Sequence, residues 1–222
     1  MDDTMDMPAP PRANRQAVEA ALAQLPRGTY IAADADNTLW AGDVGDEVVK
    51  VAGETPYLPW QPGQIDVAKY FAMMEHAYIE GCCYSAETLS QVPWHAAQPR
   101  LESALKQRVF PRQWLISALQ QAMTRGVQLV VISASPQPIV EMGVELFGLT
   151  GCKVIAVKHV RAPEPHFFQP LPIGFGKVHA WQAAGLPQPA VALGDSRWDL
   201  PLLAHAVEGF WLTPADQERL KT

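Results

Sequence analysis

The feature that most constrains this chain is residues 30–39, YIAADADNTL, where an apolar β-type run stops abruptly at two acids separated by one residue. Strand side chains alternate between faces, so Asp34 and Asp36 would share a side if the strand continued. Asn37 and Thr38 predict instead that it ends there, in a turn whose two acids project from the carboxyl edge. Like charges at short range repel, and a cation or a shared proton has to offset the repulsion. An isolated D-x-D is more often an acid-rich turn after a strand, so the rest of the chain has to decide.

Asn14 is placed to cap a helix through Val18, Leu22 and Leu25, which Pro26 and Gly28 end. After the acids come a short loop with two glycines and a helical turn or two over residues 46–52. Prolines 56, 59 and 62 with Gly63 mark a composition shift, and residues 65–79 follow with helical apolar spacing. Residues 54–109 therefore read as a helical insert. Beyond it, helical spacing from Pro111 to Ala122 leads into residues 127–132, VQLVVI, short and apolar enough for a buried parallel strand ending at Ser133 and Ser135. Residues 139–147, 174–184 and 200–206 read as helices, and residues 153–157, 190–193 and 207–212 as strands. Residues 160–172 form a proline-rich excursion. This alternation predicts an α/β chain, a Rossmann-like three-layer core with a central parallel sheet, built from residues 14–53 and 110–222. Residues 1–13 are acidic and proline-rich and predict a disordered tail.

In such sheets ligands sit at the carboxyl ends of the strands, so the other strand ends should carry chemistry too. VQLVVI ends at Ser133, and AVAL ends at Gly194, Asp195 and Ser196, with Asp199 close behind. Lys177 lies just inside a helix in GFGKVHAW. Two or three carboxylates plus loop carbonyls make an oxygen site suited to Mg2+, which bridges to phosphate oxygens. Ser133 and Lys177 supply what a phosphate dianion needs, a hydroxyl donor and a fixed positive charge.

With 222 residues the chain can bury a sizeable core, and three cysteines, two of them adjacent, form neither a disulfide framework nor a metal motif. A reducing compartment, and cytoplasmic placement, is the expectation. A net charge of -6, from 17 basic and 23 acidic residues, excludes the basic stripe of a nucleic-acid surface. No signal peptide or bilayer-length apolar run is visible, so no membrane partner is expected.

Four motifs now stand in order: D-x-D-x-T at Asp34, Asp36 and Thr38, a strand ending in Ser133, Lys177, and GDSxxD from Gly194 to Asp199. Their order resembles that of the haloacid dehalogenase (HAD) superfamily, in its phosphoserine-phosphatase-like branch. The resemblance implies a small helical cap of the C1 type at residues 54–109 and a Mg2+-dependent phosphoryl transfer. Asp34 would attack phosphorus and form an aspartyl-phosphate; Asp36 would protonate the leaving alcohol and later activate water. It also implies metal ligation by the Asp34 carboxylate, the Asp36 backbone carbonyl and Asp195, with Asp199 reaching the ion through water. Dehalogenases of the superfamily lack an acid at the position of Asp36, so its presence points to phosphate esters.

A cap favours a small phosphorylated metabolite. Asp43 stands where phosphoserine phosphatases carry an acid that reads an ammonium, or it is a solvated loop carboxylate. Trp40, Trp60 and Trp94 are either a cation–π cage suited to choline or ethanolamine phosphates or packing residues. The second motif reads SAS followed by Pro136, and the fourth reads SRWD, both departures from phosphoserine phosphatases, so phosphoserine itself is not singled out. Three functions compete: a phosphomonoesterase, a phosphotransferase using the same phosphoenzyme, and an idle binding module that keeps the fold. Oligomeric state is not legible in the sequence.

Overall fold

A computed structural model describes residues 7–54, 65–161 and 164–219. In chain order its first half contains α1 (Arg15–Gln24), β1 (Tyr30–Ala33), β2 (Trp40–Ala41), α2 (Val44–Glu54), α3 (Val67–His76), α4 (Tyr78–Ser90) and α5 (Trp94–Arg108). The second half contains β3 (Phe110–Pro111), α6 (Gln113–Thr124), β4 (Gln128–Pro136), α7 (Gln137–Leu146), β5 (Lys153–Val157), β6 (His159–Val160), β7 (His166–Phe167), α8 (Phe175–Ala183), β8 (Val191–Gly194), α9 (Leu200–His205), β9 (Glu208–Trp211) and α10 (Ala215–Arg219).

Five strands form one parallel sheet in the order β5-β4-β1-β8-β9. The acid-bearing strand is its centre: Ile31 pairs with Leu129 on one side and with Val191 on the other. The period of two sorts its residues. Ile31 and Ala33 join a core with Val18 and Leu22 of α1, Leu115 and Leu119 of α6 and Ile139 of α7. Ala32 joins the opposite core with Ala180 and Trp181 of α8 and Leu202 and Leu203 of α9. Helices thus cover both faces, the three-layer architecture expected from the alternation.

The departures from expectation have local causes. β4 does not stop at Ile132 but continues, through a register break, to Pro136, which carries Ser133 and Ser135 within the strand. The single helix expected over residues 65–79 breaks at Ala77 (φ -146°, ψ 61°) into α3 and α4. Gly81 permits the resulting close pair, since a Cβ there would lie 2.7 Å from the Met74 sulfur. β2 and β3 pair antiparallel, Trp40 with Pro111 and Ala41 with Phe110. The excursion between them spans residues 42–109 and includes α2, which packs on α4 and α5 and also on α7 and β4 of the core. Residues 160–172 contain most of a short hairpin, with Val160 opposite His166 and His159 opposite Phe167.

The disordered tail expected over residues 1–13 is docked where it is described. Met7 packs with the α8 and α9 cluster, and the Ala13 amide donates to the Trp211 carbonyl at 2.8 Å. An apolar side chain and an edge-strand carbonyl give the segment partners that its acidic, proline-rich composition conceals. Among the described residues no helix is long and apolar enough to cross a membrane.

Candidate active site

The turn after β1 separates the two acids. The Asp34 amide still donates to the Leu193 carbonyl (2.9 Å), so Asp34 sits at the strand's carboxyl edge. The chain then folds back, with the Thr38 and Leu39 amides donating to the Ala35 carbonyl at 3.2 and 2.8 Å. Asn37 takes φ 57°, a left-handed conformation that asparagine tolerates better than most side chains. This return brings the buried Thr38 hydroxyl onto Asp195, whose Oδ1 accepts from it at 2.9 Å.

Lys177, 2 % exposed, reaches the same edge from the first turn of α8. Its Nζ donates to Asp34 Oδ1 and to Asp199 Oδ1, both at 2.6 Å. The other oxygen of Asp199 accepts from the Asp195 amide (3.1 Å), the Ser196 amide (2.9 Å) and the Ser196 hydroxyl (2.9 Å). Only glycine fits at 194, because a Cβ there would lie 2.4 Å from that of Asp199. Asp34, Asp195 and Asp199 thereby each present an oxygen within 4.8 Å of the others.

The electrostatics of this triad are unbalanced. Burial, then repulsion from Asp199, raises the Asp34 pKa well above the usual carboxylate range, against the pull of Lys177. Burial and Asp199 likewise push Asp195 up to about 7, with Thr38 and Lys177 opposing. Burial alone would lower the Lys177 pKa, but Asp199 and Asp34 reverse that and raise it. Three buried carboxylates share one buried ammonium, and a divalent cation would supply the missing positive charge. The all-oxygen donor set fits a hard metal ion.

Asp36 is held apart from this cluster. Its Oδ1 accepts from the Trp40 indole and from the Val44 amide, both at 2.8 Å, and its Oδ2 accepts from the Ser135 hydroxyl at 2.7 Å. Burial raises its pKa, while the bonds from Ser135, Val44 and Trp40 favour the ionised form. Ser133 is buried beside it on β4, its Oγ accepting from the Ser135 amide at 3.0 Å.

Of the tryptophans proposed for a cage, Trp40 is 0 % exposed and packs on Phe147 with ring centroids 5.4 Å apart, so it presents no face to a ligand. It anchors Asp36 instead. Trp60 lies outside the described residues, and Trp94 lines a cleft of about 370 Å³ whose walls include none of the site acids. Asp43 is half-buried in the loop before α2. Its Oδ1 accepts from the Asp46 amide (3.0 Å) in the first turn of α2, and burial, then Asp36 and Asp46, raise its pKa well above the usual range.

The sequence missed the aromatic groups over the site. Tyr78, at the start of α4, stacks on Trp198 with centroids 4.8 Å apart and planes 13° from parallel. Trp198 was visible as the bulky residue inside GDSRWD, but nothing in the sequence pairs it with Tyr78. Ser135 was noted only as a polar strand end, and its bond to Asp36 follows from the register break in β4.

A model of the haloacid dehalogenase-like hydrolase family matches residues 31–204. No curated protein sequence matches the chain. Among solved structures, a substrate-bound phosphoserine phosphatase complex is 17% identical and superposes with a TM-score of 0.55, over 88% of this chain and 91% of its own. A phospho-aspartyl intermediate analogue of phosphoserine phosphatase gives the same identity of 17% and TM-score of 0.55, over 87% and 91%. A protein of unknown function from Bordetella pertussis Tohama I reaches a TM-score of 0.67 at 15% identity, over 89% and 96%. At these identities the likeness is one of fold.

Proposed function

The chain belongs to the haloacid dehalogenase-like hydrolase family, and from that premise we propose that it is a Mg2+-dependent phosphomonoesterase acting on a small phosphorylated metabolite. The observation that carries this reading is the division of labour among the acids: Asp34 and Asp199 share Lys177, whereas Asp36 is clasped separately by Trp40, Val44 and Ser135.

Asp34 attacks phosphorus through a carboxylate oxygen, and the bond to the leaving alcohol breaks as the aspartyl-phosphate forms. Asp36, whose buried carboxyl holds its proton to higher pH than usual, gives that proton to the leaving oxygen. The resulting Asp36 carboxylate then takes a proton from the water that attacks phosphorus, which releases phosphate and regenerates Asp34. Ser133 donates to a phosphate oxygen, and Lys177 favours the ionised form of Asp34 and offsets the charge of the incoming dianion. Asp34, Asp195 and Asp199, with the Asp36 carbonyl, would hold Mg2+, which when bound neutralises phosphate charge and so permits an anionic nucleophile to approach.

The insert serves as a cap. Cys82 and Ala86 of α4 pack with Ala134, Val157 and Ile173 of the core, and the Tyr78–Trp198 stack links the two, with Tyr78 within electrostatic range of Asp34 and Asp199. Such closure excludes water and bulky substrates. Asp43, in the loop between β2 and α2, would read a substrate amine, as in phosphoserine, phosphocholine or phosphoethanolamine.

The test is a panel of phosphorylated metabolites, these three included, assayed with Mg2+. Hydrolysis of at least one, abolished by Asp34→Asn, supports the reading. Intact-mass detection of a stable phosphoryl adduct on Asp36→Asn would support the two-step route, and full turnover by that variant refutes the role given to Asp36. Preference for an uncharged sugar phosphate overturns the role of Asp43.

A further inference from the structure

We propose that Arg12, outside the segment that matches the family, is a positioning residue that sets the direction of Asp195 and thereby the affinity of the site for Mg2+; this rests on the metal-dependent reading above. Three contacts carry it. Arg12 Nη1 donates to the Asp195 backbone carbonyl at 2.6 Å and also to the Leu212 carbonyl. The guanidinium lies over the Trp211 ring, 3.6 Å from its centroid. The Trp211 indole N–H donates to that same Asp195 carbonyl at 2.8 Å.

Two donors thus converge on one carbonyl oxygen and occupy both of its lone pairs. Strand pairing stops one residue short of this point: Gly194 pairs with Trp211, and the Leu212 amide donates to the Gly194 carbonyl at 2.7 Å. Beyond that register the Asp195 carbonyl has no ladder donor; Arg12 and Trp211 hold this end of the 195–196 peptide, while the Ser196 N–H at its other end donates to Asp199 Oδ2 at 2.9 Å. The plane of that peptide sets where the Asp195 side chain points. At the far end of that side chain Thr38 holds Oδ1, so the carboxylate is braced from behind by Arg12 and in front by Thr38.

Charge alone acts the other way, since a guanidinium near the site repels a cation, so the gain in affinity has to come from geometry. Arg12 lies within electrostatic range of both Asp195 and Asp199, the two acids that the GDSxxD turn adds to Asp34. Lysine would keep the charge and a donor for the carbonyls but lose the planar guanidinium that stacks on the Trp211 indole while Nη1 bonds Asp195 and Leu212. The segment itself does not depend on the guanidinium, because Met7 packing on the α8 and α9 cluster and the Ala13 amide bond to Trp211 hold it in place.

The experiment is a calorimetric titration of the full chain with Mg2+, for the native protein, Arg12→Ala, Arg12→Lys and Asp195→Asn, beside the melting temperature of each without metal. Groups that orient a metal ligand from behind are worth about 10–100-fold in metal affinity, and the low end applies to one acting through a backbone carbonyl. Arg12→Ala should weaken Mg2+ binding about tenfold with its metal-free melting temperature within about 3 °C of native, and Arg12→Lys should recover less than half of that loss on a logarithmic scale. An affinity within about twofold of native for Arg12→Ala overturns the inference alone, as does complete rescue by lysine, which would leave charge without geometry. A native protein that binds Mg2+ no better than Asp195→Asn overturns the metal-dependent reading and the inference with it.

Discussion

Replacing Lys177 by methionine keeps a similar volume on α8 and removes the buried positive charge shared by Asp34 and Asp199. Each contact, at 2.6 Å, has a Coulomb energy of about 6 kcal/mol at an effective dielectric constant of about 20, a gross attraction before desolvation is counted. Burying the ammonium costs several kcal/mol, and breaking a buried ion pair by deleting one partner has a net cost of about 3–5 kcal/mol. The cost should depend on pH. Lys177 has a raised pKa and stays charged throughout the accessible range, so the variation comes from the acids. Asp34 and Asp195 already have raised pKa values, by burial and by Asp199, and without Lys177 both rise further. In the variant the folded state then binds more protons than the unfolded state above the ordinary carboxylate pKa, so its stability climbs as pH falls. Urea denaturation of metal-free protein, followed by tryptophan fluorescence, should show a loss of about 3–5 kcal/mol at about pH 8 that shrinks below about 2 kcal/mol at about pH 5. An equal loss at both pH values would mean that packing, not charge, holds Lys177 in place, and a loss below about 1 kcal/mol at the higher pH would refute the buried-pair argument altogether.

Three further outcomes are expected. With the Asp195 pKa raised to about 7 by burial and Asp199, native metal-free stability should fall as pH rises from the ordinary carboxylate value toward 7, while Mg2+ affinity rises about tenfold per pH unit up to about 7 and then levels off; a flat affinity profile from about pH 5 to pH 8 in calorimetry would contradict it. Ser135→Ala removes the hydroxyl that holds Asp36 Oδ2 and should slow alkyl phosphates about 10–100-fold but p-nitrophenyl phosphate much less, because that leaving group needs no proton; equal slowing of both would show that Ser135 does not act through the proton donor. Trp198→Ala opens the stack with Tyr78 and should raise the ratio of kcat/KM for bulky over small phosphates at least about tenfold, and an unchanged ratio would deny the stack any part in size selection.

The strand ends were legible because two signals coincide there, an apolar run and the polar residue that stops it. Asp34 and Asp195 sit just past the carboxyl ends of adjacent parallel strands for that reason, and Ser133 follows the apolar run of β4 although the strand continues beyond it. Lys177 and Asp199 were legible by motif order. What escaped depends on contacts distant in sequence. Trp40 has the composition of a cage residue, but the fold buries its ring against Phe147 and Gly143 and leaves only its N–H for Asp36. The break at Ala77 is equally hidden in a continuous helical pattern, yet it delivers Tyr78 to the start of α4 and so to Trp198. Arg12 lies in a segment whose prolines and acids read as a tail, and its partners Asp195 and Trp211 are each more than 180 residues away along the chain.

These missed contacts share a consequence for the acid pair at the end of β1. The donors that hold Asp36 come from three elements: Trp40 from β2, Val44 from α2 and Ser135 from β4. Two of them are tied to the insert, since β2 and β3 bracket it and α2 packs on α4 and α5. The third belongs to the core. Asp36 therefore sits at the junction where the insert meets the sheet, while Asp34 is held wholly by the core through Leu193 and Lys177. Motion of the insert would loosen two of the three donors on Asp36 and leave Asp34 untouched. Under the proposed mechanism the attacking acid would thus be fixed, and the proton donor would have its hydrogen bonding coupled to closure of the insert. An abrupt stop after four strand residues is what permits this division, because a strand continuing through Asp36 would have bound both acids to the same rigid sheet.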